Sequence, residues 1–448
     1  MTIDSRPTLS APDDDPYLWL EDIDEPKALA WVDARTAETL ARFGTARFAA
    51  DRDALAALWD RPDKIPYVSR RGAFAYNIWQ DAANPRGLWR RTTWVAYRDG
   101  APAWDVLLDV DALGKAEGEN WVWAGSVTLP GTHDRAMVSL SRGGGDATMP
   151  REFDIPTKSF VADGFALPEG KSSVGWLDRD TLFVSSARGE GMATRSGYAR
   201  TIRLWRRGTP FADAQIVFQI APDSMTASGG LDRTVDPPRF IMTERTKFFE
   251  YDFWMGDTLQ SLARLDVPAD AEKDVHGDWL TIKPRLDWTV AGTTYPGDTL
   301  LGVRLSRFLA GARDFAVLFT PGERRALQGA SWCGDKLIIS VLDELRPVFE
   351  LATPGDAGWT RSALPGLPTI GVVGVGPLDV NEEESNGEAL VLLQDPLTPP
   401  SLLLADLAPE TVAAPRLLRS RPADFDPTGL AVTRHEAVSI DGERVPYV

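Results

Sequence analysis

The chain has 448 residues, 43% of them hydrophobic, with 65 acidic against 48 basic side chains and a net charge of −17. An apolar share of that size can fill a large core, and the acidity argues against nucleic acid as a partner, because phosphate binding needs a basic face. Cys333 is the only cysteine, so no disulfide can form within the chain, and a reducing, cytoplasmic setting is expected. The first 16 residues lack an apolar stretch and carry Asp13, Asp14 and Asp15, so no signal peptide is visible. No run of about 18 apolar residues occurs, so no membrane partner is expected.

Residues 1–15 read as a disordered leader, followed by a short extended segment from Asp15 to Asp22. Asp24 is placed to cap a helix with Glu25 and Pro26 in its first turn. Leu29, Val32, Leu40 and Phe43 form its apolar stripe, and Gly44 interrupts it. A second helix is expected with Asp51 as cap, burying Leu55 and Leu58 and stopping before Arg61-Pro62. These are the only helices the pattern supports, and they make a helical segment over 16–62.

From Pro66 to Pro422 strand-like segments of four to eight residues alternate with Gly, Pro and Asp turns. They group into seven units, 66–113, 120–166, 172–222, 224–268, 273–321, 325–365 and 368–420, near the period of four-stranded propeller blades. The fold class read from this is all-β, a seven-bladed β-propeller over 66–422; a pair of sandwiches is the alternative, disfavoured by seven similar units in a row. At the C-terminal end, apolar and polar residues alternate on both sides of Asp441-Gly442, which predicts a tight hairpin with arms Glu436–Ile440 and Glu443 onward. The second arm reads as a strand left unpaired at Val448, as though another domain should follow.

No catalytic constellation emerges. The nearest approach to a Gly-x-Ser-x-Gly elbow is Gly329-Ala330-Ser331-Trp332-Cys333, where a bulky Trp follows the serine; a turn into the strand at Lys336 is the better reading. Cys333 reads as a buried apolar residue. His133, His276 and His435 have no ligand spacing, so no metal site and no cofactor are expected. Asp109–Gly114 and Gly164–Ser172 resemble a calcium loop and a phosphate loop only superficially and read as inter-strand turns. Ser141–Asp146 could form an anion-binding nest, with a plain hairpin turn the stronger reading, and Glu382-Glu383-Glu384 reads as a solvated loop.

Several stretches carry a family resemblance: Asp15-Pro16-Tyr17-Leu18-Trp19-Leu20-Glu21-Asp22 with Ala30-Trp31-Val32, Tyr76–Trp79 with Arg86–Thr92, Leu140–Gly144 with Arg151–Asp154, and Ser439–Tyr447. In this order they resemble the bacterial members of the prolyl oligopeptidase family of serine peptidases. The resemblance implies a seven-bladed propeller capping an α/β-hydrolase domain, with the N-terminal helical segment packed on that domain. It also implies that residues 432–448 are the first hairpin of that domain, truncated here, and that the Ser, Asp and His of the triad lie beyond Val448. By the same resemblance, Arg142, Lys171 and Arg195 are substrate-gating or tunnel groups, and Arg could pair with a peptide carboxylate. For each separately, a solvent-facing turn residue is the plainer reading.

The expected function is therefore the lid of a peptidase for short proline-containing peptides, with no catalysis by these 448 residues alone. A stand-alone propeller that binds proteins or peptides, and a propeller glycosidase with carboxylates converging across blades, are the alternatives. Expected partners are short peptides, together with self-association through the surface the helices leave exposed.

Overall fold

Alternating side chains punctuated by Gly and Asp turns make antiparallel meanders from Ser69 onward, and a computed structural model shows them as sheets. It describes residues 15–22, 25–379 and 387–448; most of the predicted leader, Asp24 and Glu382–Glu384 fall outside these. The chain divides into two units, one ending at Pro62 and one running from Asp63 to Val448.

In the first unit, α1 spans Pro26–Phe43 and α2 spans Ala46–Trp59. Both caps differ from the sequence expectation. Glu25 caps α1, its carboxylate accepting from the Ala28 amide at 2.8 Å. Thr45 caps α2 by accepting from Phe48 at 3.3 Å, because the chain re-enters a helix at once after Gly44. Asp51 sits one turn inside α2, paired with Arg47 at 2.7 Å. Leu55 and Leu58 are exposed rather than buried. The segment before α1 is a 3-10 turn over Leu18–Glu21, not an extended strand, and Trp19 meets Trp31 edge-on.

The second unit holds seven four-stranded antiparallel sheets, spanning 69–109, 121–160, 172–219, 226–264, 272–319, 325–363 and 372–420. Each falls within one predicted unit, give or take a residue. Within each sheet the main strands are bonded in chain order; the fifth adds a hairpin, Trp288–Val290 with Thr293–Tyr295, between its second and third strands. An apolar cluster fills every seam between neighbours. Trp89 and Phe153 join sheets one and two, Leu182 and Met137 two and three, Ile202 and Met242 three and four. Phe253 and Leu280 join four and five, Leu318 and Leu337 five and six, Ile338 and Val391 six and seven. Leu402 and Leu404 then pack on Ala75 and Tyr97, seventh sheet on first. Seven seams for seven sheets close a ring: the fold is a seven-bladed β-propeller.

The first strands of the second and third, third and fourth, and sixth and seventh sheets lie against one another. Space there is tight: a Cβ on Gly229 would fall 2.3 Å from the Met242 sulfur and 2.8 Å from Ile202. That close approach is why glycine stands there.

Three short helices inside the ring escaped the sequence reading: α3 (Trp94–Arg98), α4 (Val110–Glu117) and α5 (Leu305–Leu309). At five to eight residues they are too short to show a helical period against strand alternation. The supposed turn at Asp109–Gly114 is the start of α4, with Asp109 accepting from Ala112 at 2.9 Å. Gly329–Cys333 is likewise not a turn. It ends the sixth sheet's first strand, with Trp332 and Cys333 buried. No helix of the described residues is long and apolar enough to cross a membrane.

The seventh–first seam yields a direct test. Leu402 is fully buried there, so Leu402→Ala should lower unfolding free energy by about 2–5 kcal/mol in a denaturant titration. Leu392→Ala, on an exposed position of the adjacent strand, should change it by about 0.5 kcal/mol or less. Equal effects would mean the seam does not hold the ring.

Candidate functional site

A four-stranded meander sends its connections to alternating ends. The loops joining second to third strands, and those leading to the next sheet, therefore gather on one face of the ring. The chain also enters before Ser69 and leaves after Ser420 on that face.

Arg142, at the end of a second strand, is held by Glu119 at 2.8 Å and Glu169 at 2.5 Å, above the Trp121 ring. These two carboxylates push its already high pKa further up. Arg195 pairs with Asp223 at 2.7 Å, both well exposed. Lys171 is less firmly matched: its ammonium lies 3.5 Å from Asp146 and 4.7 Å from the centre of the Tyr198 ring. The glycines at 143–145 make a plain turn, since the Gly143 and Gly145 amides are spent on Asn120 and Arg142 carbonyls.

Cavities open on this face, three of them lined by charged side chains from the third to sixth sheets. One of about 400 Å³ lies between the third and fourth sheets and reaches Lys171 and Tyr198. A larger one of about 820 Å³ sits between the hairpin tip Phe248-Phe249 and the fifth-sheet insertion, with Arg245, Lys283 and Arg285 on its wall. Arg285 stacks 3.8 Å over Phe249. A third, about 330 Å³, contains Lys273 and Asp274. Burial lowers the Lys273 pKa to about 8, although its ammonium bonds the carbonyls of Tyr251 at 2.7 Å and Ala269 at 3.3 Å. Burial also raises Asp274, the opposite sign expected for an acid.

The terminal hairpin is clamped to the same face. His435–Val438 pairs with Arg444–Tyr447 along their whole length as the expected hairpin, a two-stranded sheet in which the second arm has no further strand beside it among the described residues. Its loop is five residues, closed by the Ser439 amide on the Glu443 carbonyl, and only Gly442 takes a positive φ. Arg324 reaches Glu436 at 2.7 Å and Glu344 at 3.1 Å, and Arg434 reaches Glu344 at 2.7 Å. Glu344 and Leu345 form a two-residue turn with φ of 50° and 67°, a conformation glycine or asparagine would adopt more cheaply.

The comparisons with known proteins now bear on this arrangement. Residues 11–268 match the prolyl oligopeptidase N-terminal beta-propeller domain, more than half the chain. This chain belongs to the prolyl oligopeptidase family. It is 34% identical to an uncharacterized peptidase of Sinorhizobium fredii, over 99% of this chain and 62% of that protein. Among solved structures it resembles a post-proline cleaving enzyme from Rickettsia typhi, with a TM-score of 0.84 and 26% identity over 96% of this chain and 63% of that one. Oligopeptidase B from Trypanosoma brucei shares the fold, with a TM-score of 0.71 at 15% identity over 96% of this chain and 59% of that one. The chain thus spans less than two thirds of the length of each.

The three sequence-selected cations, Arg142, Lys171 and Arg195, all lie on the entry face, and each has a carboxylate partner. Of the three, Lys171 borders one of these cavities. Arg245, Lys283 and Arg285 were missed; the adjacent aromatics Phe248-Phe249 between charged neighbours were the one sequence signal for that cavity. The histidines lie apart. His276 stacks on Trp332 with Nε2 3.0 Å from the Gly334 carbonyl, His435 stacks on Tyr447, and His133 takes a left-handed turn position. Among the described residues no cluster could hold a metal ion.

The clamp is pH-sensitive with a definite sign. Arg434 holds the Glu344 carboxyl, and Arg324 then Arg444 hold that of Glu436, below the ordinary 4.5. Their contribution is complete above pH 4.5 and is lost as the pH falls through the depressed values. Hydrogen exchange, corrected for intrinsic rates, should show hairpin protection steady from pH 7 to 5 and falling below it. Arg324→Ala should loosen the hairpin at pH 7 without affecting the sixth sheet.

Proposed function

We propose that this chain is the lid of a serine peptidase that hydrolyses short proline-containing peptides, with the Ser, Asp and His triad supplied by sequence beyond these 448 residues. The observation that carries the reading is the common face: the chain enters the ring, leaves it and anchors its terminal hairpin there, beside the cavities. A domain joined at those points would cover the cavities and confine a peptide between itself and the ring. A closed ring excludes a folded protein from that space by size, while a flexible peptide still fits. The likeness to a post-proline cleaving enzyme supports the choice of substrate, since it extends over 96% of this chain.

In this role the propeller supplies binding and exclusion, and no bond-breaking group. Arg142 and Arg195 stay compensated by their carboxylates, while Lys171 is the cation readiest to meet a substrate charge. The single, buried Cys333 accords with a cytoplasmic setting. Exposed apolar side chains on α1 and α2, among them Leu29, Phe43 and Trp59, would serve as a docking surface for the hydrolase domain or, failing that, for a second copy.

The test uses the chain as it stands. Residues 1–448 should give no turnover of a chromogenic prolyl peptide above the blank, whereas a longer polypeptide continuing past Val448 should turn it over. Turnover by the 448-residue chain that a fluorophosphonate abolishes would refute the lid assignment. A continuation without a Gly-x-Ser-x-Gly elbow would remove the basis for the peptidase reading.

A further inference from the structure

We propose that the cavity beside Lys171 is a subsite for the C-terminal carboxylate of a bound peptide. This rests on reading the entry face as peptide-facing and deepens it by naming which end of the peptide is held, and by what.

Ser173 and Ser185 are cross-strand neighbours in the third sheet, and both line the cavity. Ser185 lines the cavity and is only 6% exposed as a residue, and its hydroxyl bonds no other described side chain or carbonyl. Ser173 beside it is exposed, so its hydroxyl is open to whatever enters the cavity. By contrast the nearby Ser172 is bonded to Ser186 at 2.8 Å and Ser228 to Thr243 at 2.5 Å. Two hydroxyls without a protein partner, one of them on a nearly buried residue, leave the cavity floor able to donate to a polar ligand. Ala199 and Ala227 provide a small apolar wall, and the volume of about 400 Å³ suits a short peptide end rather than a large side-chain cluster.

The charge above that floor selects the ligand. Lys171 is the one cation that lines the cavity, held over Tyr198 and bonded only loosely to Asp146. The Asp146 side chain is 84% exposed and sits just after the glycine turn, so it is a weak partner that an incoming carboxylate can displace. The serine hydroxyls would then donate to the carboxylate or the last carbonyl while Lys171 neutralises the charge. Arg142 is unsuited to the same task, because two carboxylates already occupy its guanidinium.

The test measures fluorescence anisotropy of the 448-residue chain with a fluorescein-labelled Ala-Gly-Pro-Phe-Ala-Ala peptide, as free acid and as C-terminal amide. The acid should bind about three- to tenfold more tightly. Lys171→Met should abolish the difference, Asp146→Asn should widen it, and Ser185→Ala should weaken both forms. Asp146 is exposed, so that variant keeps the test valid if Lys171→Met or Ser185→Ala folds poorly. Equal affinity for acid and amide, a difference that survives Lys171→Met, or no binding of either peptide would overturn the subsite. The lid reading fails on a separate measurement, the absence of prolyl-peptide hydrolysis by the longer polypeptide.

Discussion

Everything on the entry face depends on one apolar seam, the packing of the seventh sheet on the first. No sheet contains strands from both ends of the propeller, so backbone hydrogen bonds do not close the ring. Side chains do: Leu402, Leu404 and Leu418 lie on Ala75, Trp94 and Tyr97, with Leu378 and Ile65 beside them. Each fully buried large side chain contributes on the order of 1.5–3 kcal/mol, so this patch outweighs the ion pair at the same seam. Arg70 meets Glu388 there at 2.9 Å, both largely shielded, and desolvation offsets much of their attraction. The pair is better suited to fixing how the two sheets align. Were the seam to open, the loops around the axis would lose their common frame.

The other constraint is parity. Four strands per sheet return the chain to the same face at every turn, which assembles loops from all seven sheets on one side. Evolution of new contacts on that side does not disturb the seams, since the loops lie outside them. The fifth sheet shows this freedom: an extra hairpin is inserted between its second and third strands, while its core residues Leu280, Ile282 and Leu301 stay fully buried. The residues flanking that hairpin, Arg285, Leu286 and Asp298, form one wall of the 820 Å³ cavity.

Charge on the entry face is graded rather than uniform. Arg142 is doubly paired, Arg324 and Arg434 are committed to the terminal hairpin, Arg195 is in solvent with Asp223, and Lys171 is loosely held. Deeper in the ring, Glu152 is fully buried and takes both guanidinium nitrogens of Arg207, linking the second sheet to the third turn beyond it. A chain of strongly negative net charge thus spends most of its cations on its own carboxylates.

Local order was readable from the sequence because it is set by neighbours along the chain. The period of two, the Gly and Asp turns and the spacing of the units located all seven sheets, and the residues resembling the family's start and return lie at its two ends. Helix caps were misjudged at Asp24 and Asp51, where a closer Glu25 and Thr45 hold the first turns, and α3 to α5 were too short to announce themselves. Arg142, Lys171 and Arg195 could be chosen as charged residues in turns, but their partners could not. Glu119 and Glu169 stand 23 and 27 residues from Arg142; the first meets it because Trp121 pairs opposite Arg142 within the second sheet, the second because the chain returns to the same face on its way to the third. The open hydroxyl of Ser185 is invisible in sequence for the same reason. Whether a polar group is satisfied depends on which strands become neighbours, and that is decided by the closing of the ring.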